Sequence, residues 1–104
     1  MTPDNAALAP LLNEATVLMK ALSHPERLMI CCELRDKELS VGDIERTLKI
    51  SQPRLSRELA KLRELKLVST RRRSKQIYYK LCDESRAAAM VDAICSVMLE
   101  DIGK

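Results

Sequence analysis

The chain has 104 residues, 46% of them hydrophobic and 32% charged, with a formal net charge of only +3. That length fits one domain, residues 1–104, and the lack of Trp and Phe leaves Leu, Ile, Val, Met and Ala to fill a modest core, which favours packed helices. Two glycines and four prolines are too few for the turns of an all-β fold, and no 18-residue apolar run is present to cross a bilayer.

The opening "MTPDNAALAP" carries Asp4 and no basic lead-in, so it does not read as a secretory signal and a cytoplasmic location is expected. Cys31, Cys32, Cys82 and Cys95 are then expected as reduced thiols. They contain no C-x-x-C pair and His24 is the single histidine, so neither a structural zinc site nor any other cofactor is expected.

Leu11, Ala15, Leu18 and Leu22, with Leu12 and Met19 beside them, recur at helical spacing and predict a first helix with a broad apolar stripe. "SHP" ends it, because the residue before a proline is pushed away from helical angles. Pro25 suits the first turn of a second helix, "PERLMICCEL", with Leu28, Cys31 and Leu34 inward and Ile30 to one side. After the polar break "RDKE", Ser40 and Asp43 have the spacing of a capping box at the head of a third helix, "VGDIERTLKI".

Ile50 and Ser51 turn the chain, and Ser51 is expected to cap a fourth helix that takes Pro53 into its first turn. Leu55, Leu59 and Leu62 form its narrow apolar stripe, which leaves Pro53, Arg57, Ala60 and Glu64 facing outward. The period then becomes alternating, predicting strands over Leu67 to Arg71 and Gln76 to Leu81 with a charged turn between them. Ala87, Met90, Val91, Ile94, Val97 and Met98 return to helical spacing. The expected fold is mainly α with a small β-hairpin, in the order H-H-H-H-E-E-H.

The charge is gathered in one stretch. Between Ser51 and Lys80 ten basic residues face only Glu58 and Glu64, while the rest of the chain is net acidic. Pairing along the fourth helix, Arg54 with Glu58 for example, cannot absorb an excess of eight, so a polyanion partner is expected. Two short helices with a tight turn make a helix-turn-helix, whose second helix lies in the DNA major groove. The first turn of that helix enters deepest, which makes Gln52, Arg54, Ser56 and Arg57 the candidate base readers. Lys61 and Arg63 are expected on phosphates. Arg71, Arg72, Arg73 and Lys75 of "RRRSK" would follow the flanking phosphates or enter the minor groove.

"ALSHPERLMI", "ELSVGDI", "LSQPRLSRELAKLREL" and "LVSTRRRSKQIYYKL" together resemble the ArsR/SmtB-type winged-helix repressors over nearly the whole chain. The resemblance implies a symmetric homodimer through the first and last helices, wings that flank double-stranded DNA, and an inducer that lowers operator affinity. A two-fold dimer implies an inverted-repeat operator with half-sites about one helical turn, ~10 bp, apart. The metal-sensing members carry C-x-C where this chain has Ser40 and Gly42, and they carry imidazoles on the closing helix where it offers only Asp83, Asp92, Glu100 and Asp101.

The sulfide- and persulfide-responsive branch is similar in "RLMICCEL", which implies a sensing role for Cys32 together with a second thiol near the end of the last helix. Cys95 is the counterpart, about one turn earlier than that branch's usual position, where this chain has Met98 or Leu99. The function expected is a dimeric DNA-binding repressor released when Cys32 and Cys95 are modified by an oxidant or reactive sulfur. Cys31 takes a core position in the same alignment. Cys82, expected at the entry to the last helix where the helix N-terminus would lower its pKa, is an alternative resolving thiol. Two rival readings remain open at this point: a metal(loid)-responsive repressor using Cys31, Cys32 and carboxylates, and a protein-interaction module using the basic face. An enzyme is not expected, for no Gly-rich phosphate loop and no nucleophile with a well-spaced base occur.

Overall fold

A computed structural model of the chain describes residues 5–82 and 86–102. The order is α1 (Asn5–Ala21), α2 (Pro25–Glu33), β1 (Leu39–Ser40), α3 (Val41–Leu48), α4 (Arg54–Glu64), β2 (Val68–Arg73), β3 (Gln76–Leu81) and α5 (Arg86–Ile102). The mainly helical reading with a β-hairpin before the last helix matches this order. One strand was not legible. β1 has two residues, too few to show a period, yet it pairs antiparallel with β3 and makes a three-stranded sheet of order β1-β3-β2.

One apolar cluster joins the elements. Ile30, Cys31 and Leu34 of α2 and Ile44 of α3 meet Leu55, Leu59 and Leu62 of α4, all essentially inaccessible to solvent. Val68 and Leu81 close the cluster from the sheet with Leu67 just before it, Val91 and Cys95 from α5, and Leu18 of α1 with Leu22 just after it. Ile30 therefore lies in the core centre rather than to one side. Two backbone bonds fix the base of the hairpin: Leu81 N donates to the carbonyl of Leu34, just after α2, at 3.2 Å, and Cys82 N to the carbonyl of Leu67, just before β2, at 3.0 Å.

The helix ends follow local chemistry. Ser40 Oγ accepts from Asp43 N at 3.2 Å and Asp43 Oδ2 accepts from Ser40 N at 3.4 Å, so the expected capping box is formed. α4 ends in a Schellman motif: Leu67 N donates to the Leu62 carbonyl and Lys66 N to the Arg63 carbonyl, with Lys66 at φ 61°. The start of α4 departs from expectation. Pro53, at φ −87° and ψ 2°, precedes the helix instead of lying in its first turn, and the Gln52–Pro53 peptide is cis. Ser51 supplies only its carbonyl, to Leu55 N. The side-chain cap comes from Gln52, whose Oε1 accepts from Ser56 N at 3.1 Å. The longer Gln52 side chain reaches back from outside the helix to the third-residue N–H, which displaces Ser51 from the role its residue type suggests.

Other boundaries also shift. α1 begins at Asn5, before the apolar stripe, and contains Pro10. α3 stops at Leu48, because Lys49 turns left-handed at φ 57°. β2 runs on to Arg73, so the three arginines lie in a strand and only Ser74 and Lys75 make the turn. Ser74 takes φ 58° there.

Candidate nucleic-acid interface and the cysteine pair

The buried leucine stripe of α4 fixes which side chains it offers to solvent. Arg54, Ser56, Arg57, Ala60, Lys61, Arg63 and Glu64 are all exposed. Arg57 projects opposite the stripe, Arg54 and Lys61 lie on the flank towards α1 and α2, and Ser56 and Arg63 lie on the other. Two ion pairs attach the first flank to α2. Arg54 reaches Glu26 at 2.8 Å, and Glu58 accepts from Arg27 Nε at 2.9 Å with both side chains about five-sixths buried. The pairing along α4 that would have joined Arg54 to Glu58 is absent, since Glu58 turns towards α2. Arg27 also donates to the Ala21 carbonyl at 3.3 Å, so one guanidinium ties α1, α2 and α4 together.

Gln52 and Ser56 are brought together rather than left separately available. Ser56 Oγ and N both donate to Gln52 Oε1, which leaves the Gln52 amide N–H groups as its outward donors. A bidentate grip on adenine requires the carbonyl as well. His24 stands at the N-cap position of α2, but its side chain makes no capping bond.

Strand alternation divides the arginine run. Arg71 opposes Tyr78 and Arg73 opposes Gln76, so both lie on the sheet face away from the core, while Arg72 opposes Ile77 on the other face. Arg71 forms a bidentate pair with Glu38, at 2.9 Å from Nε and 2.6 Å from Nη2, across the intervening strand. The Arg71 hydrogen bonds hold the Glu38 carboxyl below its usual range, helped by the charges of Arg71, Arg73 and Lys80, and they raise Arg71 in turn. Arg73 stacks over the Tyr78 ring at 5.8 Å. Lys75 sits at the exposed hairpin tip. The wing thus presents one organised cationic face in place of a loose charged loop.

Behind this interface, Cys32 of α2 and Cys95 of α5 form a disulfide with a Cα–Cα separation of 5.9 Å. The position of Cys95 one turn early keeps it on the helix face that meets α2. Cys95 is buried and Cys32 partly exposed. Cys31 is fully buried, and burial pushes its thiol up to about 12, so it behaves as a small apolar side chain. Cys82 lies directly after β3 and outside the bridge, not at the first turn of α5, which begins at Arg86. Asp83 and the side chain of Asp101 lie outside the described residues. Among the described residues no group of three or more His, Cys, Asp and Glu is placed to hold a metal ion.

Sequence reasoning overlooked Arg27, Arg35, Glu26 and Glu38. Each acts across a separation of about thirty residues or more, or lies in a segment read only as a polar break, and periodicity carries no signal for such pairs.

The trihelical unit with an exposed basic fourth helix and a cationic hairpin at its side defines a winged helix-turn-helix DNA-binding protein. The profile described as bacterial regulatory protein, arsR family, matches residues 24–70. The chain is 46% identical over 84 residues to the biofilm growth-associated repressor of Agrobacterium fabrum, covering 81% of this chain and 71% of that one. It is 41% identical over 81 residues to the transcriptional activator HlyU of Vibrio cholerae, covering 78% and 74%. The crystal structure of the transcriptional repressor BigR from Xylella fastidiosa superposes with a TM-score of 0.88 at 42% identity, covering 94% of this chain and 96% of that one. The chain belongs to the ArsR family and is a DNA-binding transcriptional regulator, not an enzyme.

Proposed function

We propose that the chain is a homodimeric, cytoplasmic repressor that binds an inverted-repeat operator when reduced and leaves it when Cys32 and Cys95 are joined. The observation that carries this reading is the Cys32–Cys95 bridge between α2 and α5. α2 is the element it acts on. Its C-terminal end carries Cys32, and its N-terminal turn carries Glu26 and Arg27, which grip Arg54 and Glu58 of α4. α5 carries exposed Val97, Met98 and Leu99, a surface suited to a second copy. Locking α2 to α5 therefore changes how the reading helix of each protomer sits relative to the dimer axis. Both reading helices must fit one groove spacing, so a coupling of ~1–3 kcal/mol is enough for a useful switch.

The contacts assigned to DNA are Arg57 and the free Gln52 amide at base edges, with Arg54 and Ser56 beside them. Lys61, Arg63, Arg71, Arg72, Arg73 and Lys75 are assigned to phosphates or the minor groove. The Agrobacterium relative is a repressor, which supports repression here, whereas HlyU is an activator. The test is a reporter strain carrying a Cys32→Ser, Cys95→Ser double variant. Repression should persist and its relief by a persulfide donor should vanish. Full relief in the double variant would overturn the thiol switch.

A further inference from the structure

The guanidinium of Arg35 is out of place for a surface residue. It follows α2 directly, its side chain is 85% buried, and it leaves one donor, Nε, buried with no hydrogen-bond partner. Its Nη1 reaches α5, donating to the Asp92 carbonyl at 3.4 Å, to Asp92 Oδ1 at 3.3 Å and to Ser96 Oγ at 3.1 Å. These partners flank Cys95 in sequence, and the Arg35 N–H bonds to the Cys32 carbonyl at 3.4 Å. Arg35 therefore crosses from α2 to α5 alongside the bridge. Glu33, the next residue after Cys32, is neutralised by Lys37 at 2.7 Å, and Asp92 is already held by Arg35. The pair Arg86–Glu14 lies well before Cys95 on α5. Among the described residues, Arg35 is the cation that bonds to both helices next to the cysteines and keeps a buried donor to spare.

Leaving a buried N–H without a partner is costly, so the site is organised for an acceptor that the disulfide does not provide. Opening the bridge creates one. We propose that Arg35 is the anion partner of the reduced cysteine pair: its Nε–H donates to the Cys32 thiolate and makes Cys32 the attacking sulfur, with Cys95 as the resolving thiol. The inference rests on the thiol-switch reading above. Cys32 takes the first role because it is partly exposed, whereas Cys95 is buried.

With a low-molecular-weight disulfide, RSSR, as oxidant, the Cys32 thiolate attacks one sulfur and the S–S electron pair departs as RS⁻. The product is the mixed disulfide Cys32–S–SR. The Cys95 thiol then loses its proton to RS⁻ and attacks the Cys32 sulfur, expelling the second RS⁻, which takes up a proton from solvent. Two protein thiols are oxidised, and one RSSR is reduced to two RSH. Arg35 thus speeds the first step by raising the thiolate fraction at neutral pH.

The test is the pH profile of Cys32 alkylation by iodoacetamide in the fully reduced protein, read by mass spectrometry. Replacing Arg35 with Met should move the profile's midpoint up by about one unit, and Arg35→Lys, which keeps the charge without the fork, should move it less. DNA binding by the reduced variants should match wild type, which separates this effect from misfolding. Identical midpoints in all three proteins would overturn the role of Arg35 while leaving the thiol switch standing. A shifted midpoint with DNA binding indifferent to oxidation would instead sink the switch and keep the Arg35–Cys32 contact.

Discussion

At the scale of single residues, the basic surface is more restrained than its charge suggests. Arg71 and Arg54 are each held by a carboxylate, from Glu38 and Glu26. Glu38 sits among Arg71, Arg73 and Lys80, so it subtracts from the field that a phosphate backbone would meet. Replacing Glu38 with Gln should tighten binding to any duplex about two- to threefold at low salt, with the gain fading as salt screens it. A titration against a random duplex at two salt concentrations reads this, and weaker binding would mean that Glu38 holds Arg71 in its DNA-bound pose. Cys31 offers a pH prediction. Its folded value of about 12 lies above the ordinary 9.0, so its contribution to stability is complete below pH 9 and is lost as pH rises through about 12. At neutral pH Cys31 therefore stays protonated. Alkylation of the native reduced protein should spare Cys31 until denaturant is added.

At the scale of elements, the apolar period located α2, α4, α5 and the hairpin, because each buries one face against a shared core. The same period could not reveal β1, since two residues show no alternation and its pairing with β3 is set by distant chain. Residue type also misled at the head of α4. Ser51 is a good cap by composition, but the helix starts only at Arg54, so Ser51 lies too far ahead to cap it, and Gln52 reaches the N–H of its third residue, Ser56. The cysteine pair was legible through resemblance alone, and it is the structure that places α2 and α5 with their Cα atoms 5.9 Å apart. The bridge spans a sequence separation of 63 residues. Closing such a loop in the unfolded chain corresponds to as much as ~4 kcal/mol on the chain-entropy view. Reduction should therefore lower the denaturation midpoint in guanidinium and, by freeing a more expanded unfolded chain, steepen the slope; an unchanged midpoint would show that the bridge adds no net stability.

At the scale of the whole molecule, shape and surface point the same way. The radius of gyration is 15.1 Å, against about 13 Å for a compact chain of this length. The excess comes with exposed Leu11, Leu12, Val17 and Met19 on α1 and exposed Ile94, Val97, Met98 and Leu99 on α5. Faces so apolar on two long helices are expected to be covered by a second copy. A Val97→Glu variant should sediment as a monomer and lose most operator affinity while keeping its helical circular dichroism. A dimer of unchanged stability would place the interface elsewhere.

If the thiol switch operates, the state of one sulfur pair sets the affinity for DNA. A titration at fixed salt on the duplex upstream of the protein's own gene, with dithiol-reduced protein and with protein treated with a persulfide donor, decides this. The reduced dimer should bind tightly, and treated protein carrying the Cys32–Cys95 crosslink should bind about ten- to a hundredfold more weakly. Equal affinity of the two forms, with the crosslink verified, would contradict the switch.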